Sequence, residues 1–263
     1  MQRPPWLGKL IGAVIGYVTL GAFGLVVGLF LGHLADAAHR VRRLFGPALQ
    51  AVQGAFFETT FTLMGRVAKC DGRISEHEIA VTEQLMVRMG LSADHRQQAI
   101  GLFKRGAAPD FDVDGQLDAF MVACSSHPNL RQMLLVFLFS TAFADGSVSD
   151  PEHELLRRVA ARIGYSGGAF EQLFAMFRAQ ERFSGAPGAP EPERSLADAY
   201  AALGIPESAS DREAKHAYRR LMSQYHPDKL IAEGMPEDMV KMATERTQEI
   251  QNAWEQIRSA RGI

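Results

Sequence analysis

Cysteine is scarce in this chain: its 263 residues include two, Cys70 and Cys124. Both sit in apolar segments of helical period, where buried reduced thiols are expected, so a disulfide scaffold is disfavoured and a reducing compartment favoured. A surplus of positive charge is also missing. The formal net charge is −2, which argues against nucleic acid as an electrostatic partner of the whole molecule. Strand-like alternation of useful length is absent from Pro47 to about Gln180. No phosphate-cradling glycine loop, nucleophile elbow or cluster of metal ligands occurs. The expectation is an all-α protein that is not an enzyme, with no catalytic residue, no metal and no cofactor.

Charge of either sign is missing from one further stretch. Leu10 to Leu34 contains no Asp, Glu, Lys or Arg, and at about 1.5 Å per residue it is long enough to cross a bilayer core as one helix. A cleaved signal peptide would have a shorter apolar region and a small-residue cleavage site. Glycines recur at four-residue spacing, at Gly8, Gly12 and Gly16 and again at Gly24, Gly28 and Gly32. Such ladders let helix backbones approach closely, which suggests a homodimer formed in the membrane. The plainer alternative is that glycine is common in membrane helices. Arg3 and Lys9 precede the span while Arg40, Arg42 and Arg43 follow it, a slight bias toward a cytoplasmic C-terminal side.

From Pro47 onward the pattern is a run of amphipathic helices containing an internal repeat. Asp71-Gly72-Arg73-Ile74-Ser75-Glu76-His77-Glu78 aligns with Asp145-Gly146-Ser147-Val148-Ser149-Asp150-Pro151-Glu152. The same offset pairs Arg88-Met89-Gly90-Leu91-Ser92 with Arg162-Ile163-Gly164-Tyr165-Ser166, so chance is a poor explanation. In each copy a glycine allows a tight turn, and a capping box, Ser75 with Glu78 or Ser149 with Glu152, opens the next helix. Phe56, Phe57, Phe61, Leu63, Leu134, Phe137, Leu138 and Phe143 are the expected core of the resulting bundle. The acidic turns lack the ligand order of an EF-hand, and helix capping accounts for them. This repeat resembles the TerB-like helical domain family, whose related acidic turns have been linked to metal and stress responses. Direct metal binding through Asp71, Glu76, Glu78, Asp145, Asp150 and Glu152 is the lesser reading.

Ser184 to Arg194 is rich in Pro and Gly without an apolar anchor, and reads as a semi-extended linker. Beyond it, Ser195 with Asp198 starts a short helix ended by Gly204 and Pro206. Ser210 with Glu213 opens a second helix with an inner stripe of Ala214, Ala217, Tyr218, Leu221 and Tyr225. Its other face carries Arg212, Lys215, His216 and Arg219. Pro227 then biases His226 away from the helical region, so the helix stops near Tyr225 and His226-Pro227-Asp228-Lys229 forms a rigid polar bend. A third helix from about Pro236 to Ala260 offers Met239, Met242, Ile250, Ala253, Trp254 and Ile257, giving an antiparallel helical hairpin. A tripeptide alone is a weak signal, and its bland reading is an exposed turn.

Taken together, Tyr200-x-x-Leu203-Gly204-Ile205, Ala217-Tyr218-Arg219-x-Leu221, Tyr225-His226-Pro227-Asp228-Lys229 and Glu249-Ile250-x-x-Ala253 resemble the J domain of DnaJ-type co-chaperones. Trp254 stands where tyrosine is usual, and the loop 230–235 is long. The domain order resembles that of membrane-anchored DnaJ-like members: tail 1–9, transmembrane helix 10–34, basic juxtamembrane segment 35–49, TerB-like domain 50–183, linker 184–194 and J domain 195–263. The resemblance implies a DnaK-type ATPase chaperone as partner, contacted by His226, Pro227, Asp228 and Lys229, with Arg212, Lys215, Arg219 and Arg220 facing an acidic surface on it. It also implies an inner-membrane protein whose bulk is cytoplasmic. A membrane-tethered stress or metal-response scaffold, with the TerB-like domain as its working part, is the alternative. The client protein is not readable.

Overall fold

The computed structural model describes residues 7–70, 86–87, 89–144, 146–184 and 195–263, and of 7–45 chiefly the backbone. Every regular element among the described residues is helical. The chain divides into two compact units, Met1–Ala51 and Val52–Ile263.

Helix α1 has the bounds Leu7–Ala68. Helical backbone therefore continues through 35–49, where the sequence alone suggests a separate juxtamembrane segment. Pro47 lies inside it, at the expense of one backbone hydrogen bond. The described large side chains near the start of α1, among them Ile11, Val14, Ile15, Val18, Phe30 and Leu31, are apolar and exposed, an arrangement suited to a lipid-facing surface. Judged on the described residues, no helix is long and apolar enough to cross a membrane. Most side chains of 10–34 lie outside that description, including the ladder Gly12, Gly16, Gly24, Gly28 and Gly32.

In the second unit the end of α1 packs with α2 (Ala93–Gly106), α3 (Val113–Cys124), α4 (Pro128–Ala142), α5 (Asp150–Arg162) and α6 (Gly167–Ser184). Helix α4 is apolar nearly all round and buries Leu130 and every residue from Met133 to Phe139, as a central bundle helix must. The expected core residues are buried except Phe143, which is half-buried against the rings of Phe174 and Phe177. Cys124 is fully buried, and burial pushes its thiol up to about 12. It is therefore an inert neutral group.

Two glycines determine how closely α1 and α2 cross. A Cβ on Gly65 would stand 2.0 Å from the Phe103 carbonyl oxygen, and one on Gly106 would stand 1.7 Å from that of Thr62. Nearby, the buried Thr60 hydroxyl donates to the Phe56 carbonyl at 2.7 Å, so the tight crossing leaves that hydroxyl satisfied. The second copy of the repeat has its expected capping box, with Pro151 in the first turn. Gly90, Gly146 and Gly164 adopt φ of +86°, +81° and +94°. Residues 71–78, Arg88 and Asp145 lie outside the described residues, as does 185–194 of the linker.

The C-terminal part consists of α7 (Leu196–Ala202), α8 (Asp211–Gln224), α9 (Pro227–Glu233), a 3₁₀ turn at Glu237–Met239 and α10 (Val240–Arg261). The stripes of α8 and α10 meet as expected, and Tyr218 stacks on Trp254 at 5.2 Å with the rings 14° apart. Residues 227–233 differ from expectation, being a helix rather than bend and loop. Proline interrupts a helix from within but suits its first turn, where the missing N–H has no partner to lose. The same residue that stops α8 therefore starts α9.

The hairpin shares one core with the bundle. Gln180 Nε2 donates to the Ala202 carbonyl at 3.0 Å. At the centre of the seam Arg246, 3% exposed, donates to Glu181 at 2.8 Å and to Glu249 at 2.6 Å, with its guanidinium 4.1 Å from the centre of the Phe177 ring. Burial alone would push this guanidinium down. Glu249 and then Glu181 outweigh it and hold it above its ordinary range.

Candidate functional site

The His226-Pro227-Asp228 turn sits where α8 ends and α9 begins. Tyr225, the C-terminal cap of α8, and Leu230 of α9 are buried on either side of it. His226 is the N-cap of α9, with φ −61° and ψ 123°, and its Nδ1 accepts from the Asp228 N–H at 3.2 Å. The neutral ring in this geometry carries its proton on Nε2. The His226 carbonyl accepts from the N–H groups of Lys229 and Leu230, both at 3.1 Å. His226, Asp228 and Lys229 are exposed and Pro227 half-buried. Buried anchors thus hold the backbone while a ring N–H and a carboxylate are left for a partner.

Arg212, Lys215, Arg219 and Arg220 are all exposed on α8. Its N-terminus is secured by a capping box in which the N–H and hydroxyl of Ser210 donate to Glu213 at 2.8 and 2.7 Å. These bonds hold the Glu213 carboxyl below its usual range. Arg212, His216 and Arg220 flank a shallow groove of about 510 Å³ with Ile205, Pro206 and the bundle residue Gln172. One charged face of α8 therefore runs from this groove to the turn.

A ring N–H, a carboxylate and exposed cations suit recognition of a charged surface. No group of three or more His, Cys, Asp and Glu that could hold a metal occurs among the described residues. Glu152 is engaged in the Ser149 cap, while Asp71, Glu76, Glu78 and Asp145 lie outside those residues. Three bundle residues that sequence reasoning misses reach the C-terminal part. Gln132 Nε2 donates to the Tyr225 hydroxyl at 2.7 Å, Asn129 Nδ2 donates to Glu233, and His95 pairs with Asp238. No local pattern announces them, because each contact joins residues far apart in the chain. Burial pushes the Tyr225 phenol up, so its hydroxyl stays neutral.

A helical hairpin carrying this turn at its tip, beside an exposed basic face, defines a J-domain protein. The DnaJ domain family model matches residues 198–261. The model for tellurite resistance protein TerB matches 58–175, and that for the co-chaperone DjlA transmembrane domain matches 1–51. The Co-chaperone protein DjlA of Coxiella burnetii is 40% identical over 267 residues, covering 98% of this chain and 99% of that protein. Those of Shewanella oneidensis and Vibrio cholerae are 38% and 37% identical, each covering 97% of this chain and 98% of theirs. The chain belongs to the DjlA family, with a transmembrane domain, a TerB domain and a J domain in that order. No solved structure matches it significantly.

Proposed function

We propose that this protein is a membrane-anchored co-chaperone whose J domain binds a cytosolic DnaK-type chaperone, stimulates its ATP hydrolysis and recruits it to the inner membrane face. The observation that carries this reading is the turn itself, exposed at His226 and Asp228 and anchored by buried Tyr225 and Leu230. His226, Pro227, Asp228 and Lys229 make the activating contact. Arg212, Lys215, Arg219 and Arg220 meet an acidic surface on the chaperone, raising the association rate more than the affinity. The J domain performs no chemistry. It binds the hydrolysis-competent state of its partner better than the resting state and so shifts the population. The N-terminus lies outside and the bulk of the chain in the cytoplasm, in keeping with the arginines that follow the span.

The test is steady-state ATP hydrolysis by a purified DnaK-type chaperone with and without the full chain. His226→Gln should leave the fold intact and abolish stimulation; retained stimulation would refute the assignment. The glycine ladder Gly12, Gly16, Gly24, Gly28 and Gly32 supports a homodimer through the membrane helix. Gly24→Leu with Gly28→Leu should lower the dimer yield on crosslinking in membranes, and an unchanged yield would remove dimerisation from the proposal.

A further inference from the structure

We propose that bundle helix α4 is part of the chaperone-activating device, with Asn129 and Gln132 as positioning residues for the His226-Pro227-Asp228 turn. The inference rests on the co-chaperone reading above and deepens it.

The two residues lie three apart on α4 and therefore share a face of it. Gln132 holds the Tyr225 hydroxyl at 2.7 Å, and Tyr225 is bonded directly to His226. Asn129 holds the Glu233 carboxylate, and Glu233 is the last residue of the helix that Pro227 opens. One turn of a bundle helix thus grips the chain just before the activating turn and again at the far end of α9. Each grip has one buried partner, Tyr225 at 4% and Asn129 at 8% exposed, and one half-buried partner, Gln132 and Glu233.

Apart from these two grips, the turn is held by the buried Leu230 of α9 and by hydrogen bonds within it. Helix α9 is seven residues long, too short to be stable by itself, so its direction depends on what it packs against. Within the turn, the His226 ring is fixed by one hydrogen bond to the Asp228 N–H, and both side chains face solvent. A chaperone that reads His226 and Asp228 needs them at a set angle. If α9 swings freely, part of the population presents the wrong angle, and the apparent dissociation constant rises in inverse proportion to the competent fraction.

The experiment measures the chaperone's ATP hydrolysis against the concentration of full-length protein, for the native chain and for Gln132→Leu, Asn129→Ala, Tyr225→Phe and Gln132→Glu. Gln132→Leu removes the donor, and Tyr225→Phe removes the acceptor while keeping the ring packed. Each should raise the half-saturating concentration about fivefold, the worth of a typical hydrogen bond, with maximal stimulation retained at saturation. Asn129→Ala should do the same. Combining Gln132→Leu with Tyr225→Phe should add nothing, since both delete one bond. Gln132→Glu can accept a hydrogen bond from the Tyr225 O–H and should restore the native value. Unchanged half-saturation or additive shifts in the double variant would each overturn the positioning role, and restoration by Gln132→Glu would support it. Should the native chain fail to stimulate, or His226→Gln still stimulate, the co-chaperone reading falls instead.

Discussion

Replacing Arg246 with alanine should loosen the J domain from the bundle, and the cost can be worked from its neighbours. Glu181 is 37% exposed and can turn to water, so its share is that of a surface pair, under about 1 kcal/mol. Glu249 is 12% exposed, so its bond to this guanidinium is a charge-assisted one largely out of water, and losing it costs about 1.5–3 kcal/mol. The cation over the Phe177 ring contributes about 0.5–1 kcal/mol more. The total is about 2–5 kcal/mol. Arg246→Met retains the aliphatic packing but removes the same charge-assisted bonds to Glu249 and Glu181. Arg246→Met combined with Glu249→Leu exchanges the buried pair for apolar groups and should return to within about 1 kcal/mol of the native protein. The assay is urea unfolding of the full chain in detergent, followed by tryptophan fluorescence in a Trp6→Phe background. Trp254, stacked on Tyr218, then reports the hairpin. A loss below about 1 kcal/mol for Arg246→Ala, or a double variant no better than Arg246→Met, would refute the reasoning.

Gly65→Ala and Gly106→Ala each drive a methyl group into a backbone carbonyl that has no rotamer to change, so each should cost about 1–3 kcal/mol in the same unfolding assay. Gly101→Ala is the control, since it lies on α2 with nothing within 4 Å of its Cβ position, and it should stabilise by about 0.5–1 kcal/mol; equal effects at the three sites would contradict the close crossing. The Ser210 cap makes a pH prediction. Glu213 has a lowered folded pKa, so its contribution is present above the unfolded value of about 4.3 and is lost as pH falls through the lower folded value. Glu213→Gln should therefore show a shallower fall in thermal midpoint below about pH 4.3, and a slope equal to that of the native protein would mean the cap is not the source.

The hairpin was readable because its signals are local. Ser210 and Glu213 are three residues apart, the stripe of Ala214, Ala217 and Leu221 follows one helix, and Pro227 stops that helix by its own geometry. The same locality explains what was missed. Helix α9 was hidden because proline reads as a terminator until one asks where a helix could begin, and because histidine is not among the preferred capping residues, although the His226 ring caps here. Arg246 with Glu249 reads as an ordinary exposed pair at helical spacing. Only the arrival of Phe177 and Glu181 from the bundle buries it. Gly65 and Gly106 each look like weak points in a helix, and the reason for both appears when the two helices cross.

The seam also changes how the division of labour between bundle and J domain can be tested. Reading the two as beads on a Pro/Gly linker makes deletion of 50–183 the obvious discriminating experiment. The packing argues against it. That deletion would remove Phe177 and Glu181 from Arg246, Gln180 from Ala202, and Gln132 from Tyr225, leaving a buried face of the J domain in water. A loss of chaperone stimulation would then follow from damage to the J domain as readily as from loss of a client site. The surfaces are nevertheless separable. The bundle reaches the J domain through contacts that include Ala202, Tyr225, Glu233, Asp238 and Arg246, whereas His226, Asp228, Lys229 and the α8 cations stay exposed, Arg212 and Arg220 at the groove that Gln172 of the bundle also lines. These groups are open to solvent with the bundle docked. Single substitutions in the intact chain, on one side or the other, are therefore the informative perturbation.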